Sequence, residues 1–394
     1  MAVRADPIAR SRASRLVRPL APATYLLRNA GKTLPLIGVI TLAVMLIAGI
    51  VSLVNSIPFS VKTIYAYSQR QLAILPRETF EVTPAQMAKF EKAPVPIERM
   101  IVARAVRTQV QSIVGKWPFV VVGLKPDDLD FFMKRMEVRG VNGRLPTPGL
   151  PEAIVSEPVS RNLKLKIGSV LLSPDNQDSY STKHVKIVGI AKTDLWFMAT
   201  SYEYHAKYHF PPFNNLLVYA HNPSDQRKLD LWAEKAFKGE RLEMFAYHML
   251  EDDTDKMFVT LYKILNVIIG TLVVVLAFLM GMLINIYQGQ RLVEFGLLQA
   301  LGYTKKRILR RVLTENILVI TLGWMTGVLA AYGLLQITDK LLMYPNAYAL
   351  NIYDQAAWSY TAVIPLAILF VASLTVFFRF RKFDPVGIVE RRLV

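Results

Sequence analysis

The chain has 394 residues, 53% of them apolar, a mean hydropathy of +0.30, a net charge of +17 and no cysteine. That apolar content is high for a purely soluble protein, and the length exceeds one average domain. Without cysteine there are no disulfides, no thiolate nucleophile and no cysteine-ligated metal.

In chain order, residues 1–33 read as a cytoplasmic basic tail, with Arg10, Arg12, Arg15 and Arg18 set among serine and alanine. The piece TYLLRNAGK reads as amphipathic and suited to the membrane surface, where each basic residue gains roughly 1 kcal/mol from anionic lipid. Transmembrane helix 1 is expected over 34–57, around the uncharged run Leu34–Val54. That run is too long for a signal-peptide core and lacks a small-x-small cleavage site, so it reads as a retained anchor.

Residues 58–257 read as an extracytoplasmic α+β domain with stalk helices, placed at Ser60–Leu75 and Glu251–Tyr262. Strands are expected at 117–124, 152–156, 169–173, 184–191 and 215–220 from their β-branched content and flanking turn residues. Helices are expected at 126–136 and at 223–237, the latter with a serine or aspartate cap, and GRLPTPGLP at 143–151 reads as a connector. Three more spans follow: transmembrane helix 2 at 258–287, helix 3 at 317–337 and helix 4 at 360–378. Each run is long enough to cross about 30 Å of hydrocarbon at 1.5 Å per residue. Between them lie a cytoplasmic loop at 288–316 and a short external loop at 338–359, before a cytoplasmic tail at 379–394. Tyr344, Tyr348, Tyr353, Trp358 and Tyr360 around the external loop suit an interfacial aromatic belt.

The charge is topological. The 1–33, 288–316 and 379–394 segments hold eighteen Lys/Arg against five Asp/Glu, a net +13 of the total +17, whereas 338–359 has a single basic residue, Lys340. This is the positive-inside pattern, with both termini and the 288–316 loop cytoplasmic. Nucleic acid is not an expected partner; membrane lipid is.

Within 288–316, the sequence RLVEFGLLQALGYTKKRILRRVLTE reads as a helix–turn–helix. Leu292, Val293, Phe295, Leu297, Leu298 and Leu301 make an apolar helix; Gly302 suits a left-handed C-terminal cap, and Thr304 an N-cap. The second helix opens with Lys305, Lys306, Arg307, Arg310 and Arg311, which read as topology and headgroup anchors.

Motifs for chemistry are weak. No Walker A pattern occurs, because the Gly-Lys pairs at 31–32 and 115–116 both lack the upstream glycine, Leu26 and Val110 standing in its place. His205 and His209 have the i,i+4 spacing of a zincin helix, but Ala206 stands where the catalytic glutamate would be, and Pro211 and Pro212 follow. A metal site is not expected. The spans carry no interior charge apart from Lys263 at an edge, which argues against a proton- or ion-coupled carrier. Gly323, Gly327 and Ala331 form a small-residue ridge in the third span, with a looser one of Gly270, Ala277 and Gly281 in the second. Such ridges serve helix packing within a chain or between two copies, and both readings stay open.

Arg291, Glu294, Gly296 and Gln299-Ala300-Leu301-Gly302, followed by Glu315, resemble the R-x-x-E-x-G-x-L-x-A-L-G pattern of FtsX/MacB-type ABC transporter permeases, the MacB/LolC/FtsX superfamily. The tail FDPVGIVERR resembles the closing motif of those permeases through Asp384, Pro385 and Val386, and LLRNAGKTLPLIG resembles their opening segment. The resemblance implies an α-helical membrane protein with four transmembrane helices plus a mixed α+β extracytoplasmic domain, in the bacterial inner membrane. It implies two ABC ATPase subunits as partners, a second permease copy (homodimer or related heterodimer), and leaves a periplasmic adaptor open. ATP and Mg would be bound in the ATPase, with no cofactor or catalytic residue in this chain, and the ATPase would be a separate polypeptide. Carried over by motif, Arg291, Glu294, Phe295, Gly296, Leu298, Ala300, Leu301 and Gly302 would form the ATPase-coupling helix.

The expected function is mechanotransmission: ATP hydrolysis in the partner moves the extracytoplasmic domain to export or extract a lipid, lipoprotein, peptide or drug. Two alternatives stand beside it: a regulator activating a cell-envelope hydrolase or relaying a signal, and a membrane-anchored hydrolase hinted at by His205 and His209.

Overall fold

The computed structural model describes residue 26 and residues 28–208 and 213–381. Most of the basic tail, His209, Pro211, Pro212 and the Asp384-Pro385-Val386 motif lie outside the described residues. The chain forms two compact units: Asn55–Thr260 with Thr338–Asn351, and a helical unit of Met1–Val54, Leu261–Ile337 and Ile352–Val394.

The first helix, α1, runs over Ala30–Ile64, well past the uncharged run that announces it. The stalk expected over Ser60–Leu75 is helical only to Ile64; a 3₁₀ turn, Ala66–Arg70, and strand β1, Leu72–Pro76, follow. Leu72 and Ile74 alternate with less buried neighbours, and that period of two places them in a sheet rather than on a helix.

Among the described residues, this unit is built on ten strands, β1 included. After a short helix α2 (Pro84–Ala88), strand β2 (Ile97–Ser112) forms a hairpin with β3 (Gly115–Leu124), followed by α3 (Pro126–Arg135). Then come β4 (Val141–Gly143), β5 (Glu152–Ser156), α4 (Glu157–Asn162), β6 (Val170–Leu172), β7 (Val185–Ala191) and β8 (Met198–Ser201). Helix α5 (Tyr202–Tyr208), β9 (Asn215–Ala220), α6 (Gln226–Ala236) and β10 (Leu242–Phe245) complete it. The strand order is β10-β1-β9-β2-β3-β8-β5-β7-β4, with β6 on β7; β3–β8 and β5–β7 are parallel and the other pairs antiparallel. Strand β2 joins the two halves: Ile97–Ala103 pair with β9 and Arg104–Ser112 with β3.

Strand β9 is buried on both faces, so its side chains divide by parity. Leu217 and Tyr219 pack with Leu129, Phe132 and Met136 of the α3 region, while Leu216 and Val218 pack with Leu229, Ala233 and Phe237 of the α6 region. Burying an aromatic or branched side chain of this kind contributes about 1.5–3 kcal/mol. Helix α6 starts at Gln226 with no side-chain hydrogen bond at its cap, Asp225, which corrects the expected serine or aspartate cap; the Asp225 carboxylate is engaged by Lys228 instead. The connector 143–151 carries the chain across β7, from β4 on one edge to β5 on the other, and Arg144 clamps Glu152 across it. These hydrogen bonds hold the Glu152 carboxyl down at about 2.

The helical unit contains parts of α1 and of α7 (Tyr247–Gly289), then α8 (Leu292–Ala300), α9 (Lys305–Thr338) and α10 (Gln355–Arg381). Among the described residues, four helices, α1, α7, α9 with the turns after it, and α10, are long and apolar enough to cross a membrane. Each contributes a stripe at helical spacing to one core: Ile40, Val44 and Ile47; Leu265 and Ile269; Ile308, Val312 and Val319; Ile364 and Ile368. Phe278, Met282, Leu329, Leu366 and Phe370 are exposed, as side chains facing lipid would be. The protein is thus an α-helical membrane protein with a mixed α+β domain.

Within this unit, α9 lies against α1 at the small-residue ridge. A Cβ at Gly323 would come 2.7 Å from Cβ of Ile40, and one at Gly327 2.7 Å from Cβ of Val44. Thr41 adds a 2.7 Å hydroxyl–hydroxyl hydrogen bond to Thr326 across the same contact. Ala331 is fully buried, and Gly281 closes on Val371 of α10, whereas Gly270 has open space where its Cβ would be.

Candidate functional site

The turn from α7 through α8 into α9 builds the most concentrated polar structure of the helical unit. Helix α7 ends at Gly289, and Arg291 caps α8 with a backbone (φ −102°, ψ 6°) that breaks the helical run. At the other end of α8, Gly302 takes φ +90°, a conformation open to glycine at little cost. The N–H of Gly302 donates to the Gln299 carbonyl at 3.0 Å and that of Tyr303 to Leu298 at 3.1 Å, a Schellman cap. Thr304 then accepts from the Arg307 N–H at 3.4 Å, opening α9. From Lys305 onward the basic segment and the third span are one uninterrupted helix.

This folding returns α9 alongside α8 and closes a ring of four charges. Arg291 donates Nε–H to Glu294 Oε2 at 2.9 Å and Nη2–H to Oε1 at 3.2 Å, in a forked pair. Its Nη1 donates to Glu315 Oε2 at 2.6 Å. Arg311 donates Nε–H to Glu315 Oε1 at 3.1 Å and approaches Glu294 to 3.6 Å. Charges alternate around the ring, so every carboxylate meets two guanidinium groups. Burial opposes the charge on Arg291, but the hydrogen bonds it donates to Glu294 and Glu315 outweigh it and hold the guanidinium more firmly protonated than usual. The Arg291 guanidinium also lies over the Phe295 ring, 5.0 Å from its centre.

The ring fixes which face of α8 points inward. Phe295 and Gly296 are buried, Phe295 in the core of the helical unit, and Leu292 and Leu298 pack against that core. On the other side Leu297 and Leu301 are 58% and 77% exposed, next to exposed Ala300 and Gly302. The motif residues therefore do different jobs: Arg291, Phe295 and Gly296 position the helix, and Ala300, Leu301 and Gly302 lie on its free side.

Two residues were misjudged or missed by the sequence reading. Arg311 is not a headgroup anchor, because it is bound into the ring; its i,i+4 spacing to Glu315 was the available signal. Leu297 falls on the exposed face and was counted only as part of an apolar helix. Lys305, Lys306, Arg307 and Arg310 are exposed, as anchors would be.

In the other unit, His205 is fully buried against Gly123 of β3, and His209 lies outside the described residues. No group of three or more His, Cys, Asp or Glu able to hold a metal occurs among the described residues.

Residues 264–384, which include the whole ring and α8, match the family model for the FtsX-like permease C-terminal domain. No curated protein sequence matches the chain. The solved structures similar to part of it include the following three. The periplasmic region of MacB from Actinobacillus actinomycetemcomitans is 9% identical, over 47% of this chain and 92% of that one, with a TM-score of 0.27. The extracellular domain of the noncanonical ABC-type transporter YknZ from Gram-positive bacteria is 10% identical, over 44% and 99%, with a TM-score of 0.26. A domain of a permease protein from Porphyromonas gingivalis is 13% identical, over 45% and 88%, with a TM-score of 0.21.

Proposed function

We propose that this FtsX-like permease chain is the membrane subunit of an ABC transporter, and that α8 is the helix through which a partner ATPase drives it. The observation that carries this reading is the geometry of α8: a short helix fixed on one face by the buried Arg291–Glu315 ring and open on the other at Leu297, Ala300 and Leu301. An exposed apolar face flanked by positive charge, on a rigid bracket between two spans, suits a docking partner. The sequence holds no Walker A pattern, so nucleotide hydrolysis is assigned to that partner, with ATP and Mg bound there. The net positive charge of the 288–316 loop supports a cytoplasmic position for this face.

In this mechanism ATPase closure displaces α8, and the ring passes the displacement to α7 and α9 together. Helix α7 is continuous from Gly289 to Tyr247, so motion at one end is carried along it. Near its far end Lys62 of α1 pairs with Asp255 at 2.8 Å and with Glu251 at 3.4 Å, clasping the two helices. The α+β domain then acts on a lipid, lipoprotein, peptide or drug outside the membrane. The apolar stripes of Ile40, Val44, Leu265, Ile269 and Ile364 inside the helical unit support work of this kind over passage through a polar channel. A second permease copy completes the transporter.

Purification in mild detergent, with mass-spectrometric identification of co-eluting chains, tests the assignment. An ABC ATPase at a 1:1 ratio is the expected result; a preparation active in the cell that yields no ATPase would contradict it.

A further inference from the structure

The α+β unit contains a cleft of about 650 Å³ where α6 and the turn before it meet the 3₁₀ turn at Arg70 and the first turns of α7. That volume lies within the range of small-molecule sites. Its walls include Arg70, Arg227, Asp230, Tyr247, His248 and Glu251.

The balance of charge in the cleft is positive. Glu251 is paired with Lys62. Asp230 is 2% exposed and accepts a 3.0 Å hydrogen bond from Gln226. Burial pushes its carboxyl up to about 7 against the Gln226 hydrogen bond and the charge of His248, so near neutrality it repels an anion weakly and has a proton to donate. Arg227 is exposed and pairs with no acid among the described residues. Two lining side chains also carry buried nitrogens without a hydrogen-bond partner: Nε of Arg70, whose Nη2 is held by Glu137, and Nδ1 of His248, whose Nε2 faces Glu234 at 3.1 Å. A ligand acceptor satisfies the Arg70 Nε–H, and it satisfies the His248 nitrogen when the imidazole carries both protons.

We infer that this cleft binds a small oxyanion, a carboxylate or phosphate group, between the Arg227 and Arg70 guanidinium groups, with His248 and Asp230 completing its hydrogen bonds. The site does not depend on how the helices are driven, and its failure would leave the α8 reading untouched.

Titration calorimetry of the full chain in detergent, with inorganic phosphate and N-acetylalanine as separate probes, tests it. At least one probe binds saturably below millimolar concentration, and the one that binds identifies the group. Arg227→Ala weakens that binding at least tenfold, while Arg77→Ala, at a residue paired with Glu243 elsewhere, leaves it unchanged. Arg227 is exposed, so the variant folds, and Arg227→Lys retains part of the affinity. No saturable binding of either probe overturns the inference. So does equal binding by Arg227→Ala and wild type, or equal weakening by Arg77→Ala.

Discussion

The Nη1 group of Arg291 donates a 2.6 Å hydrogen bond to Oε2 of Glu315, and the two side chains are only 5% and 4% exposed. Twenty-four positions apart in sequence, they join the start of α8 to the body of α9. A pair this deeply buried is weak evidence of net stabilisation, yet removing one partner strands a charge, at about 3–5 kcal/mol.

Glu315→Ala should therefore destabilise the chain by about 3 kcal/mol, moderated by the pairing of Arg291 with Glu294. The double variant Arg291→Leu with Glu315→Leu should cost less than the sum of the two single leucine variants. Thermal unfolding in detergent, arranged as a double-mutant cycle, measures the coupling; strict additivity would show that the pair does not act as a unit.

Glu294 is more open than Glu315 and tolerates change. Glu294→Arg should fold, but it places a third positive group beside Arg291 and Arg311 and releases α8 from its set orientation. ATPase activity of the purified complex should lose its coupling to the permease. Unchanged coupling in a folded variant would remove the ring from the mechanism.

The α1–α9 contact makes its own demand. Gly323→Ala introduces a methyl group 2.7 Å from Ile40 Cβ and should cost about 1–3 kcal/mol through overpacking. Gly270→Ala meets open space and should be neutral or slightly stabilising, since alanine favours helix by up to about 1 kcal/mol over glycine. The two melting temperatures, taken side by side, check the assignment.

Asp230 gives a pH dependence with a defined sign. Its folded pKa of about 7 lies above the ordinary carboxylate value of about 3.9, so the folded state holds the proton more tightly. Stability from this group is complete below about pH 4 and declines as pH rises to about 7, by a few kcal/mol in all. Asp230→Asn has no such proton. Its stability relative to wild type should grow across that window, as followed by thermal unfolding at pH 5 and pH 8. A constant difference would place Asp230 in a wetter environment.

What the sequence made legible was local. Four uncharged runs gave the spans, Gly302 and Thr304 marked the turn between α8 and α9, and the branched run NLLVYA marked β9. What it hid depends on partners distant in the chain. Strand β2 escaped notice because several of its buried positions are Ala103, Thr108 and Ser112, small or polar residues that give little hydropathy contrast against Arg99, Arg104 and Arg107. Arg311 looked like one more basic residue, since its role is set by α8 lying against α9. The cleft at Asp230 gathers residues from three separated segments and left no spacing to read.

The central claim is that α8 presents its free face to an ATPase. Leu297→Asp with Leu301→Asp changes only exposed positions on that face and leaves the ring intact. Co-purification and stimulated ATP hydrolysis should both fall at least tenfold, with the melting temperature of the permease unchanged. A double variant that retains its ATPase partner and its full stimulated activity would contradict the account.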